Sequence, residues 1–357
     1  MIKFFRKIRQ NLLSEGKTGK YFKYAIGEIV LVIIGILIAL QINNANELRK
    51  TENKIVSILK EVQNDLALDI QKSDELIAYY SNKDSIIRLI LTDKLTYEDY
   101  RNDDYNNLRN ILKGAFHIKI HDKAYNNLME NVDNIPEHLK EIIDPLNEIY
   151  TYNKYEIDKF DLRIDKLTDR MMDDMAANKE WYYQSIRSDL PLTDTMIAYY
   201  MSDPFYKNAA QNYRNAGSTN LSYQVKIFRL NAVRAYKQIN TLLKNKDSIP
   251  NFIPHNIVKL TPEQLQNYVG TYKFVDIEDL QGIPDVKFKF WIQDNQLVRN
   301  SSNNPEVRGL YFESLDNAFE QEDIYKEFEF IRNDANQITG VIYKNRLISH
   351  LEKLKDE

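Results

Sequence analysis

The chain has no cysteine, few histidines and, through its first two thirds, almost no helix-breaking residues. The missing cysteine argues against disulfide frameworks, zinc knuckles, iron–sulfur clusters, thiol catalysis and lipid attachment at an N-terminal cysteine. From Ile36 to Ala216 the one glycine is Gly114, and only Pro136, Pro145, Pro191 and Pro204 precede residue 249. A segment so poor in breakers reads as mostly helix. Five of the nine prolines and the last four glycines lie beyond that point. The architecture is therefore expected to change within residues 247–260, where Pro250 and Pro254 interrupt any regular element. Long apolar runs are equally scarce, with a single example near the N-terminus, which argues against a polytopic membrane protein. A composition of 43% hydrophobic and 28% charged residues argues against wholesale disorder. At 357 residues the chain has room for two or three domains.

Charge is present but unevenly placed. Residues 1–23 hold Lys3, Arg6, Lys7, Arg9, Lys17, Lys20 and Lys23 against Glu15 alone, a net +6. The overall charge is -4, so the remainder carries -10. Within this arm Ile2, Phe5, Ile8 and Leu12 recur at helical spacing, as on a helix lying against an anionic leaflet, with a solvated tail as the alternative. Gly16-Lys17-Thr18 imitates the end of a phosphate-binding loop, but Asn11 stands where that motif needs glycine, and no strand precedes it.

The arm runs into Tyr24 to Ile42, YAIGEIVLVIIGILIALQI, nineteen residues with Glu28 as their one charge. At about 1.5 Å of rise per residue this length spans a hydrocarbon core of about 30 Å. A cleaved signal peptide is the competing reading, disfavoured because no small-x-small site follows the run. The seven basic residues of the arm set the topology: N-terminus cytoplasmic, the rest outside the inner membrane. Gly27, Leu31, Gly35 and Ala39 fall four apart on one face, and Gly27, Gly35 and Ala39 are the candidate helix-packing positions for self-association or a partner helix.

Beyond the span, Ile55, Leu59, Val62, Leu66, Leu76, Tyr80, Ile87 and Ile90 follow a three-four spacing, with Asp69 and Ser73 as polar interruptions. This predicts a long helix leaving the membrane. Ile157, Phe160, Ile164, Leu167, Met171 and Met175 form a second seam, beside a row of Asp158, Asp161, Asp165, Asp169 and Asp173 that reads as a solvated face, since one helix cannot surround a metal. Further helices are predicted at about 123–133, 136–153, 192–214 and 221–244. His117 and His121 are four apart, but the alternating Phe116-His117-Ile118-Lys119-Ile120-His121 predicts an extended segment, which would hold the imidazoles about 13 Å apart and forbid chelation. Of the 24 tyrosines, 17 lie from Tyr79 to Tyr236, expected as core of the helical region.

The last hundred residues change pattern. Thr261-Pro262-Glu263-Gln264 carries a capping box, ended by Gly270. Val286, Phe288, Phe290 and Ile292 alternate with polar neighbours, Asp294-Asn295 predicts a hairpin turn, Phe328 and Phe330 alternate with glutamates, and Asn333 to Asn336 predicts another turn into Ile338 to Tyr343. The fold class expected is α+β: an N-terminal transmembrane helix, a periplasmic antiparallel helical bundle and a small antiparallel β-barrel or curved sheet, its interior filled by side chains. The divisions are 1–23 (cytoplasmic arm), 24–42 (span), 43–246 (bundle), 247–260 (linker) and 261–357 (β module).

The opening MIKFFRKIRQNLLSEGKTGKYFKYAIGEIVLVIIGILIALQINN resembles an uncharacterised single-pass membrane protein family of Gram-negative bacteria, a domain of unknown function. The resemblance extends through Ala124-Tyr125-Asn126-Asn127-Leu128 to about residue 240, with Ala45 where that family commonly has tryptophan. Tyr268-Val269-Gly270-Thr271-Tyr272 is similar to the start of a small lipocalin-like module appended to periplasmic serine hydrolases, without the hydrolase. Neither resemblance brings a catalytic residue. No G-x-S-x-G, H-E-x-x-H or complete phosphate loop is present. The function expected is a membrane-anchored periplasmic interaction or scaffold protein rather than an enzyme. It would contact the lipid bilayer, a second copy or a membrane protein through the span, and a periplasmic partner, with no cofactor, no metal and no nucleic acid. The alternative is a periplasmic enzyme or small-ligand-binding protein using the β module or a carboxylate site in the bundle.

Overall fold

The computed structural model describes residues 18–102, 108–187, 190–245, 249–253, 256–278 and 280–355, leaving aside the side chains of residues 18–21 and 24. Thr18–Leu91 forms one unbroken helix, α1, of 74 residues and about 110 Å. Its apolar stretch is exposed, and no residue of its most hydrophobic window is buried. From Ile55 onward the three-four spacing gathers one face, and Ile55, Leu59, Val62, Leu66, Leu76, Tyr80, Ile87 and Ile90 are all buried. The helix stops where Asp93 takes a left-handed conformation, φ 52°. There the Lys94 N–H reaches back to the Leu89 carbonyl at 3.1 Å, satisfying an acceptor that the helix end leaves open.

A layer of shorter helices covers that face: α2 (Lys123–Glu130), α3 (Lys154–Asn178), α4 (Asp194–Ser202), α5 (Pro204–Arg214) and α6 (Ser222–Leu242). The longest contact runs between α6 and α1, and α2 and α5 also pack on α1. The helix expected over 192–214 is two helices. Pro204 has no N–H to continue the first and is pre-set to begin the second, while the Asp203 carboxylate accepts the Phe205 N–H at 2.8 Å as its cap. The region 136–153 is also less regular than expected: a 3-10 turn (Glu137–Ile142), a short helix (Ile143–Asn147) and a π turn (Glu148–Asn153) lead into α3. A second π turn, Asn215–Leu221, joins α5 to α6. It lies close against α1, since a Cβ on Gly217 would stand 2.5 Å from the Tyr80 ring.

After α7 (Pro262–Gln266), whose capping box is complete in both directions, the chain forms a closed up-and-down barrel. Its strands are β1 (Gly270–Ile277), β2 (Lys287–Gln293), β3 (Gln296–Ser301), β4 (Asn304–Phe312), β5 (Asn317–Glu320), β6 (Glu327–Arg332), β7 (Ile338–Lys344) and β8 (Ile348–Lys353), with β1 closing on β8. Closure leaves no free sheet edge. Asp294 and Asn295 both adopt positive φ, 50° and 59°, the backbone of a two-residue hairpin whose twist matches its strands. Tyr272, Phe288, Phe290, Phe328 and Phe330 fill the interior edge to face, with Phe290 5.1 Å from Tyr272 and 5.8 Å from Phe328 and Phe330.

Candidate functional site: the helix–barrel cleft

Of the topology-setting residues, Lys3, Arg6, Lys7, Arg9 and Lys17 lie outside the described residues; Lys20 lies on α1 and Lys23 is exposed there. The amphipathic arm, Asp247, Pro254 and His255 also lie outside them. Gly27, Gly35 and Ala39 sit on the exposed part of α1, and a Cβ at either glycine would meet no atom within 4 Å.

The two histidines do not converge. The segment between them has no regular structure, and each imidazole turns to a different helix. His121 Nδ1 stands 2.6 Å from Asp69 on α1, and Asp69 also accepts the His121 backbone N–H at 3.0 Å. Asp69, the polar interruption of the α1 seam, is wholly buried, and that burial raises its pKa while the His121 hydrogen bonds oppose the rise. His117 faces Asp161 and Asp165 on α3 at 3.5 and 3.2 Å. The aspartate row is thus only partly the solvated face expected. Asp161 is turned toward His117, and burial pushes its carboxyl up to about 6, His117 pulling the other way. Among the described residues no cluster of three or more histidine and acidic side chains could hold a metal ion.

The barrel interior is filled, and its deep charges, Arg299 and Glu320, are paired with each other. Arg299, buried, stacks on Phe288 at 4.4 Å and on Phe328 at 5.2 Å, and it donates to the buried Glu320. Arg308 and Lys326 approach the same carboxylate at 3.4 and 3.8 Å.

A concave site lined by side chains of both parts lies between the barrel and the helical layer, a cleft of about 400 Å³. Several bonds hold its walls together. Arg229 on α6 grips Asp74 on α1 at 2.5 and 3.2 Å, and the same Asp74 accepts the Tyr325 hydroxyl from the β5–β6 loop at 2.5 Å. Arg88 joins Asp84 at 2.6 Å and reaches Glu278 of the barrel. Arg214 holds the other oxygen of Asp84 at 2.8 Å, and Arg346 of the barrel donates to Asn220 at 2.7 Å. The π turn supplies Ser218 and Thr219 to the lining, and π turns recur at functional sites because they displace side chains from the regular helical register.

One lining group stands apart. Lys226 on α6, partly buried, makes no hydrogen bond and no ion pair among the described residues; its ammonium lies 5.3 Å from the centre of the Tyr325 ring. Burial depresses its pKa, while the charges of Glu327, Asp323 and Asp84 act in the opposite direction. An ammonium left so in a cleft that also holds Arg88, Arg214, Lys344 and Arg346 is a site for added negative charge.

Residues 28–112 match the model of a family of unknown function (DUF6090). The match begins inside the apolar run and ends before α2, a shorter reach than the resemblance to about residue 240 implied. It takes in Asp69, Asp74, Asp84 and Arg88, but not Lys226 or the barrel. No curated protein matches the chain.

None of the cleft residues stands out as a motif in the sequence. Lys226 lies between Val225 and Ile227, where it reads as a helix-surface lysine, and its neighbours in the cleft come from about 140–150 residues before it and 100–120 after. Asp69 and Ser73, polar positions on the buried seam of α1, do stand out, but they lie outside the lining of the cleft.

Proposed function

We propose that this chain is a single-pass membrane protein whose helical layer and barrel stand in the periplasm as a non-catalytic interaction module. The observation that carries the reading is the uncovered apolar stretch of α1. Ile26, Ile29 to Ile34, Ile36 to Ile38, Leu40 and Ile42 are each about half exposed. Transfer of half a large aliphatic side chain out of water contributes about 1 kcal/mol, so twelve together gain on the order of 10 kcal/mol in lipid. That equals the whole stability of an ordinary domain. The continuity of α1 supports an anchor over a removed leader, since the same helix carries the core seam from Ile55. Between Ile42 and that seam lie twelve mostly exposed residues, about 18 Å of helix, which hold the folded part off the bilayer. Gly27, Gly35 and Ala39 provide the face for a second copy or another membrane helix.

Alkaline carbonate extraction should leave the chain in the membrane, and a reporter active only in the periplasm, fused after Glu357, should give signal. Release by carbonate or a cytoplasmic signal would defeat the proposal. A second reading, a ligand-binding protein, draws its support from the cleft at Lys226 rather than from the barrel interior, which is packed with aromatic rings.

A further inference from the structure

We infer that the helix–barrel cleft binds a small monocarboxylate, whose anionic end pairs with Lys226. This goes beyond the anchoring role, and its test does not depend on which way the chain crosses the membrane.

The argument rests on which charges are already answered. Asp74 accepts from Arg229 and Tyr325, and both oxygens of Asp84 are taken by Arg88 and Arg214. Lys344 donates to Glu329 at 2.8 Å, and Arg346 to Asn220. Lys226 has no such partner among the described residues, and its contact with the Tyr325 ring leaves its N–H donors available. An ammonium brought out of bulk water without a partner is held at a loss that an incoming carboxylate would recover. Around it Thr219, Ser222 and Asn345 offer neutral hydrogen-bonding groups, and Ile77, Leu347 and Ile348 offer an apolar wall. A cleft of about 400 Å³ falls within the range of small-molecule sites.

The same lining sets the charge of the ligand. Glu327 lines the cleft and acts on Lys226 through its charge without contacting it. A single negative charge satisfies Lys226, whereas a second would face Glu327, and Arg346, a cleft cation without an acidic partner among the described residues, is already held on Asn220 and the Tyr223 ring. The geometry therefore favours a carboxylate on a short carbon skeleton over a phosphate or sulfate dianion.

The test uses the full chain in lipid nanodiscs, titrated calorimetrically with butanoate and benzoate, and with sulfate and inorganic phosphate as dianion arms. Saturable one-to-one binding of a carboxylate is expected, weakened at least tenfold in Lys226→Met and unchanged in Lys289→Met, on the exposed face of β2. The melting temperature of ligand-free Lys226→Met should equal or exceed that of the parent, because an unpaired ammonium is removed. No saturable binding of either carboxylate, equal binding by Lys226→Met, or binding of sulfate or phosphate as tight as the carboxylates would overturn the inference. A readout on the unaltered chain covers failure of the variant to fold. With ¹³C-labelled lysine, Lys83, Lys113 and Lys226 should titrate below the ordinary lysines, and one of these three should shift upward when butanoate is added; titrations all indifferent to butanoate overturn the inference as well.

Discussion

The helical layer and the barrel both pack around aromatic rings, yet the layer uses tyrosine and the barrel mainly phenylalanine. In the barrel Phe274, Phe288, Phe290, Phe328 and Phe330 surround Tyr272, and the deep charged group, Arg299 with Glu320, is stacked and paired. In the layer Tyr100, Tyr199, Tyr200, Tyr206 and Tyr213 are buried together, and the hydroxyls of Tyr150, Tyr199 and Tyr206 have no hydrogen-bond partner among the described residues. A buried hydroxyl without a partner costs about 1–3 kcal/mol. The barrel therefore gains from nearly every ring it buries, while the layer gives part of that gain back. The layer also holds Asp69 and Asp161, whose carboxyls burial raises, and Lys226, whose ammonium burial lowers, whereas the carboxyls of Glu263 and Glu322 in the C-terminal unit are lowered by their hydrogen bonds.

The contrast can be broken most sharply in the barrel. Glu320→Gln leaves Arg299 charged and buried without a counter-ion and should destabilise by about 3 kcal/mol or more. Chemical unfolding followed by tryptophan emission in a Trp181→Phe background, where Trp291 is the emitter, measures it; a loss below about 1 kcal/mol would show that the barrel interior tolerates charge. Gly217→Ala forces a methyl against the Tyr80 ring and should cost the layer about 1–3 kcal/mol, because the buried ring has no room to retreat. A neutral result would mean that the π turn moves freely against α1.

The pH response comes next in size. The Asp161 carboxyl is raised from 3.8 to about 6 in the folded chain, so the native state holds that proton more tightly than the unfolded chain does. Its contribution to stability is then greatest below about pH 4, declines as pH rises toward 6, and is constant above. Asp161→Asn should remove that decline, on the order of 1–2 kcal/mol, seen by comparing unfolding midpoints at pH 4 and pH 7. An unchanged difference between the two would place Asp161 among ordinary exposed carboxylates. The smallest effect has the opposite sign. Tyr206→Phe removes an unpartnered hydroxyl from a fully enclosed site and should raise stability by up to about 1 kcal/mol; a lowered melting temperature would mean that the hydroxyl has a role in the layer.

Much of the fold was legible because its cause is local. The seam from Ile55 to Ile90, the capping box at Thr261 and Gln264, and the turn at Asp294-Asn295 each depend on residues a few positions apart, and all three are present. Asp203-Pro204 was equally local, yet the apolar spacing on either side masked it. Strands β4, β5 and β8 were harder. The first five residues of Asn304–Phe312 alternate little in burial, and Asn317–Glu320 has four residues, too few for a period to declare itself. These strands exist because their neighbours in the closed barrel supply the hydrogen bonds.

The candidate site was not legible, and the reason is distance along the chain. An aspartate at 74, a lysine at 226 and a tyrosine at 325 have no spacing to betray them; only the docking of barrel on helices makes them neighbours. The sequence alone determined the exposed apolar stretch, the helical seam that continues it and the filled aromatic barrel, since hydrophobic periodicity acts over one or two turns. The tertiary structure decided which charges are answered and which is not. Whether a lysine is a solvated ornament or an unpaired ion in a cleft depends on what the rest of the chain brings within a few ångströms of it.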